Sequence, residues 1–283
     1  MTTFKFNFSG PEPDHIEVQT KGNDKKTEWL KSENVEITDQ IENLDIIAKQ
    51  AKMFTCGDVE IGHVLTNALS IQFNDVEENA IELAEKEHSD LVTGKYEGGL
   101  KIWECTYDLV DFVEKNKIDL EDKHVLDLGC GTGILGIYAW LKKAKVTFQD
   151  YNKEILEHVT IPNVLLNMEE EDNMKEIQRC TFYSGDWKLF NDMLSSEKKY
   201  DVILTSETIY NLNNYDKLIK LFEDRLNDDG IVYVAAKTYY FGVGGGMRQF
   251  EKAISGTGKF KTEIVWKTSS GIQREILTIK KSF

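Results

Sequence analysis

The sequence predicts an α/β fold, a mostly parallel sheet with helices on both faces behind an N-terminal extension. Three observations carry that prediction. Val125-Leu126-Asp127-Leu128-Gly129-Cys130-Gly131-Thr132-Gly133 is an apolar strand-like run that enters a glycine-rich turn, and Ile134–Leu141 continues it as a helix. Apolar strand-like runs then alternate with helical stretches as far as Ala236. The chain closes on Phe260–Trp266 and Ile272–Ile279, which flank Ser269-Ser270-Gly271 and read as an antiparallel hairpin that reverses the last strand.

The 283 residues suffice for one large domain plus an extension, and 41% hydrophobic with 11% aromatic residues allow a full core. No apolar run reaches the ~18 residues of a membrane span, and the start, MTTFKFNFSGPEPDH, lacks the cationic and apolar regions of a signal peptide. No membrane association is expected. Cys56, Cys105, Cys130 and Cys180 form no CxxC pair, so no metal is expected, and reduced thiols inside a cell are. The formal charge of −15, from 34 basic and 49 acidic residues, disfavours a nucleic-acid backbone. It would steer the chain towards a basic partner, or serve solubility alone.

Taken in order, residues 1–40 have little periodicity. Phe4, Phe6 and Phe8 alternate, but Gly10-Pro11-Glu12-Pro13 breaks any element, and a mobile or loosely docked tail is expected. Residues 41–54 have helical spacing; 58–73 read as strands or an irregular cover; Val76–His88 reads as a short acidic helix. Residues 41–115 therefore form a cover and 116–283 the sheet domain. Ser89–Leu100 is a loop with three glycines, and an amphipathic helix opens at Lys101 and runs through Val113. Trp103 at its start either packs as core or covers a ligand.

The first strand is His124–Leu128. The turn that follows suits either of two cofactors. Gly131-x-Gly133-x-x-Gly136 matches a dinucleotide fingerprint. Asp127 argues the other way, since a carboxylate before the turn repels a pyrophosphate and attracts the ammonium and sulfonium of S-adenosylmethionine. Gly129 and Gly131 let such a ligand approach without meeting a Cβ. Cys130 reads as a small side chain against the cofactor, not a nucleophile.

The second strand, Lys145–Asp150, ends in an acid 21 residues beyond Gly129, placed to accept from ribose hydroxyls, with Gln149 and Tyr151 beside it. A helix over about 152–168 should kink at Pro162. After a third strand, Thr181–Tyr183, Ser184-Gly185-Asp186-Trp187 suits a base pocket: Asp186 accepts from an adenine amino group and Trp187 stacks. Tyr200–Thr205 is an apolar central strand that delivers Ser206-Glu207-Thr208-Ile209-Tyr210-Asn211 to its carboxyl end. Glu207 and Tyr210 there face a transferable methyl, unless Glu207 caps the next helix. Tyr215–Leu226 reads as helix, Ile231–Ala236 as strand, and Met247–Ile254 as helix. Between the last two, Lys237–Gly246 carries three aromatics and four glycines, a flat wall for a substrate side chain.

Several of these stretches together resemble one family. SDLVTGKYEGGLKIWECTYDL, VLDLGCGTGILGIYA, FQDYN with IPNV, GDW, TSETIYN and YYFGVGGG are similar to the protein-histidine N-methyltransferases of the methyltransferase-like eighteen group, over roughly residues 88–283. The resemblance implies the class I methyltransferase (Rossmann-like) fold, a seven-stranded mostly parallel sheet with a reversed last strand. It implies S-adenosyl-L-methionine as cofactor, held by Ile102, Trp103, Glu104, Cys105, Thr106, Gly129, Gln149, Asp150, Tyr151, Gly185, Asp186, Trp187 and Ser206. It implies methyl transfer to the tau nitrogen of a histidine in the large-subunit ribosomal protein numbered three, by a monomer in cytoplasm and nucleus.

The chemistry is consistent. An imidazole with a pKa near 6.5 is mostly neutral at neutral pH, so the task is tautomer choice and alignment. Glu207 would accept from the proximal N–H, and Tyr210 with Tyr239–Phe241 would wall the ring. The alternatives are a protein-lysine methyltransferase, a cofactor-binding scaffold for a nascent ribosomal protein, and, more distantly, a nicotinamide dehydrogenase.

Overall fold

The computed structural model describes residues 29–38, 40, 44–49, 51–64, 94–168 and 176–282. In chain order its strands are β1 (Glu33–Asn34), β2 (Ala51–Cys56), β3 (Val59–Val64), β4 (His124–Leu128), β5 (Lys145–Asp150), β6 (Cys180–Ser184), β7 (Tyr200–Ser206), β8 (Leu226–Lys237), β9 (Phe260–Lys267) and β10 (Arg274–Lys281). Eight form one sheet in the order β1-β6-β5-β4-β7-β8-β10-β9. β4 pairs in parallel with β5 and β7, which pair in parallel with β6 and β8, whereas β10 runs antiparallel to both β8 and β9. The seven strands β4 to β10 are thus the expected sheet, with its reversed last strand.

The central strands are buried runs because both faces are covered. Strand alternation then sorts neighbours. Val125 packs with Leu109, Ile137 and Phe148 on one face, while Leu126 and Leu128 pack with Phe190, Leu218 and Phe222 on the other. Helices Glu104–Lys115 and Ile134–Leu141 contribute to the first face, and helices Trp187–Met193, Tyr215–Arg225 and Met247–Gly256 to the second.

Three expectations need correction or fall away, and a fourth is met. The sheet gains an eighth strand, β1, paired antiparallel with β6, so part of the expected tail is docked on the sheet edge. Residues 41–54 are not one helix: Leu44–Ala48 is helical, but β2 and β3 form a hairpin through Gly57 and Asp58. That hairpin is fixed by tertiary packing, with Phe54 stacked on Tyr107 at a centroid distance of 4.4 Å. Val76–His88 lies outside the described residues. The break near Pro162 is present as a π-helical segment, Leu156–Thr160, between helices Lys153–Ile155 and Ile161–Leu166. Proline lacks the N–H that an α-helix would bond there, and the wider turn absorbs the lost bond. Among the described residues no helix is long and apolar enough to cross a membrane.

Candidate active site

A cleft enclosing about 800 Å³, its open mouth included, lies at the carboxyl ends of β4, β5, β6 and β7. Open parallel sheets place ligands there, where the strand order reverses between β4 and β7.

The glycine turn forms its floor. Gly129 and Gly131 hold φ of 65° and 50°, in the left-handed region that disfavours a side chain. A Cβ on Gly129 would lie 2.6 Å from Thr208 Cγ2, and one on Gly131 would lie 3.0 Å from the Gly99 carbonyl oxygen. Cys130 lines the cleft as expected, and burial, with Asp127 and Asp150 adding, pushes its thiol well up, so it stays a thiol.

Asp127 does not face the cleft. Alternation puts it on the Val125 face, behind the turn, where its Oδ2 accepts from the Gly136 N–H at 2.7 Å and its Oδ1 has no partner. Burial pushes its carboxyl up to about 7, opposed by that hydrogen bond. It anchors the helix Ile134–Leu141 to β4 instead of attracting a cation.

Asp150 does line the cleft at the end of β5. Its Oδ2 accepts from Gly131 N–H at 2.8 Å and its Oδ1 from Asn152 N–H at 3.2 Å, which ties the glycine turn to the neighbouring strand. Burial raises its carboxyl to about 6 against those bonds. Tyr151 also lines the cleft, its hydroxyl donating to Gly94 O at 2.9 Å. Asp186 and Trp187 line it from beyond β6. Asp186 already accepts from Lys188 N–H at 3.0 Å and pairs with Lys217 Nζ at 2.5 Å.

Two residues expected at this end stand behind the wall. Gln149 is fully buried and accepts from the Trp187 indole N–H at 2.9 Å while donating to Gly185 O, so it positions the indole. Gly185 faces the docked tail, since a Cβ there would lie 2.4 Å from Lys31 O.

On the opposite wall, Trp103 and Thr106 line the cleft. The Trp103 indole donates to Gly98 O at 3.1 Å, and the Thr106 and Ser206 hydroxyls share a hydrogen bond of 2.9 Å that joins helix Glu104–Lys115 to the end of β7. Ile102 packs on the core, Cys105 is fully buried, and Glu104 turns outwards to Lys237 Nζ at 3.4 Å. None of these three lines the cleft; Glu104 and Cys105 lie on sides of the helix turned from the groove, and Ile102 precedes the helix.

Ser206, Glu207 and Tyr210 arrive together from β7. Glu207 holds φ of 59°, a strained value for a residue with a side chain and one that concentrates at functional sites. It is 7% exposed and caps no helix. Its Oε2 accepts the hydroxyl of Tyr240; its Oε1 is buried without a hydrogen-bond partner, 3.9 Å from Lys237 Nζ. Of the expected aromatic wall, Tyr240 is spent on Glu207 and Phe241 is 88% exposed. Tyr210 meets Tyr240 edge-on at 6.3 Å.

The cleft also holds residues the sequence did not single out. Trp29 comes from the docked tail, with Lys217 Nζ 3.2 Å from its ring centroid. Glu97 and Lys101 come from the loop before helix Glu104–Lys115. Glu97 alone carried a usable signal, as an acid inside a glycine-rich loop.

Glu97, Asp150, Asp186 and Glu207 face the cleft against one lining base, Lys101, among the described residues. That balance, the glycine floor and the orphaned Glu207 oxygen suit a cationic nucleoside without phosphate, and oppose a dinucleotide. S-adenosylmethionine fits.

Comparisons with known proteins agree. A family model described as "Lysine methyltransferase" matches residues 82–241. A "Histidine protein methyltransferase 1 homolog" of Dictyostelium discoideum is 44% identical over 193 residues, covering 68% of this chain and 60% of that one. The Bos taurus homolog is 44% identical over 219 residues, covering 70% and 59%. The Rattus norvegicus homolog is 38% identical over 242 residues, covering 78% and 67%. The chain spans about three-fifths of the length of the first two relatives.

Proposed function

The chain belongs to the methyltransferase family that contains the histidine protein methyltransferase 1 homologues, and from that premise we propose that it transfers a methyl group from S-adenosylmethionine to a protein histidine. The observation that carries this reading is Glu207: a buried carboxylate on a strained backbone, with one oxygen fixed by Tyr240 and the other without a hydrogen-bond donor, 3.9 Å from Lys237 Nζ.

Gly129, Gly131, Asp150, Tyr151, Asp186, Trp187, Trp103, Thr106 and Ser206 would hold the cofactor. When bound, it supplies an electrophilic methyl on a sulfonium. The chain's own residues then need only prepare the nucleophile. The free Oε1 of Glu207 accepts the proximal N–H of the target imidazole, which leaves the lone pair on the distal, tau, nitrogen. The same carboxylate balances the positive charge the ring acquires and takes its proximal proton. Tyr240 keeps Glu207 in register, and Tyr210 walls the ring. Alignment of this kind contributes about 7–11 kcal/mol in well-oriented systems.

The target within this reading is a histidine of a basic large-subunit ribosomal protein, the one numbered three, met as a monomer in cytoplasm and nucleus. The chain's charge of −15 favours such a partner over nucleic acid. Mass spectrometry of ribosomal proteins from cells lacking the chain tests it: loss of one methyl-histidine is expected, and an unchanged pattern overturns it.

A second reading follows from the description of the family model. A lysine ammonium could also pair with Glu207, but its pKa near 10.4 requires deprotonation before attack. Matched peptides bearing histidine or lysine separate the two.

A further inference from the structure

We infer that Glu97 is a second carboxylate for the nucleoside sugar, pairing with Asp150 to bind the two ribose hydroxyls. This rests on the cofactor reading above and assigns a role that strand position alone does not.

Glu97 lies outside the strand ends. It comes from the loop before helix Glu104–Lys115, yet it lines the same cleft as Asp150. Its Oε1 accepts from Gly94 N–H at 2.8 Å, whereas its Oε2 is buried and has no partner. A shielded carboxylate oxygen with no donor is costly, and such an atom in a cleft wall marks where a ligand donor belongs.

Asn152 couples the two acids. Its side-chain Oδ1 accepts the Glu97 N–H at 3.2 Å, its Nδ2 donates to Lys95 O at 2.7 Å, and its backbone N–H donates to Asp150 Oδ1. One residue therefore ties the Glu97 backbone to the Asp150 carboxylate. The Tyr151 hydroxyl adds a further tie to the loop at Gly94.

The remaining acceptor capacity matches a diol. The Asp150 carboxylate takes the backbone N–H groups of Gly131 and Asn152, with the Tyr151 backbone also acting on it, and keeps room for one further donor, while Glu97 Oε2 has no donor. A vicinal diol offers two O–H donors and needs two acceptors. Asp186, the other acid at this end, is occupied by Lys188 N–H and Lys217. The groups that act on Glu97 from neighbouring elements are Asp150, Asp186 and Lys217; burial dominates them and holds its carboxyl at about 7.

The test is calorimetric binding of S-adenosylhomocysteine, its 2′,3′-dideoxy analogue and 5′-methylthioadenosine, which lacks the amino-acid part. The 283-residue chain is used as wild type, Glu97→Gln and Glu97→Asp. Wild type should prefer the diol ligand about tenfold to a hundredfold over the dideoxy analogue. Glu97→Gln should lose most of that preference and weaken methylthioadenosine as much as S-adenosylhomocysteine. Glu97→Asp, which keeps the charge and guards against a misfolded Gln variant, should fall between them. An undiminished diol preference in both variants, or a loss confined to the ligand with an amino group, overturns the assignment. Failure of wild type to bind S-adenosylhomocysteine would instead overturn the methyltransferase reading.

Discussion

Tyr240, at the start of the loop after β8, donates its hydroxyl to Glu207, at the end of β7, and so joins the two loops that close one side of the cleft. The join is reinforced by backbone. Gly245 N–H donates to Tyr210 O at 3.0 Å, and a Cβ on Gly245 would lie 2.3 Å from that oxygen. The Tyr215 hydroxyl donates to Ile209 O and accepts from Gly246 N–H. The Glu207 carboxylate is fixed by Tyr240, and the segment that follows it is fixed by these backbone ties.

Removing that carboxylate's charge should leave the fold intact and cut methyl transfer. For Glu207→Gln we expect a fall in kcat of about a hundredfold or more, on the scale of a lost general base. Tyr240→Phe strips the positioning bond while keeping Glu207, and should lower kcat about tenfold with the peptide KM nearly unchanged. Steady-state kinetics on a histidine peptide check both. An unchanged rate in Glu207→Gln removes the role assigned to it.

Asp150 carries a separate prediction. Asp150→Ala deletes the acceptor for Gly131 N–H as well as the proposed acceptor for the sugar, so S-adenosylhomocysteine should bind about tenfold to a hundredfold more weakly. Calorimetry measures the affinity, and circular dichroism verifies the fold. Equal affinity takes Asp150 out of the site.

Asp127 makes stability depend on pH in an unusual direction. Its carboxyl is raised from 3.8 to about 7 when folded, chiefly by burial. Between about pH 4 and 7 the unfolded chain therefore releases a proton that the folded chain keeps, and this group's contribution to stability falls as pH rises. Three pH units correspond to at most about 4 kcal/mol. The melting temperature of wild type relative to Asp127→Asn should drop between about pH 5 and pH 8. A difference that stays flat or rises contradicts the buried-acid account.

Methylation of a basic protein substrate by a chain of net charge −15 should slow as salt is added, with kcat/KM falling through weaker encounter. Transfer to a short neutral histidine peptide is the control and should respond little. Equal salt responses would leave the charge to solubility.

How much of this could be read from the chain varies with the physics that fixes each part. β4, β5 and β7 were legible because burial on both faces writes a continuous apolar run into sequence. The β2–β3 hairpin was not: in Ala51–Cys56 only Phe54 is buried, and the same spacing satisfies a helix. β1 has two exposed residues and is held by backbone pairing, for which no side-chain signal exists. At the site, Asp150, Trp187 and Glu207 follow from strand ends, whereas Glu97 and Trp29 reach the cleft through tertiary placement of a loop and a tail. Asp127 departs from its expected role because strand alternation, not its charge, decides which way it faces. Leu126 and Leu128 commit it to the opposite face.

The docked segment at β1 has a consequence for the molecule's behaviour in solution. β6 would otherwise end the sheet with an unpaired ladder of N–H and C=O groups, an invitation to strands of other copies. Glu33 and Asn34 pair with that ladder, Val35 N–H reaches Phe182 O at 2.9 Å, and Leu30 O receives the Asp186 N–H at 3.0 Å. A chain begun at residue 36 should therefore self-associate with concentration, and light scattering would register it as clumping before any loss of secondary structure.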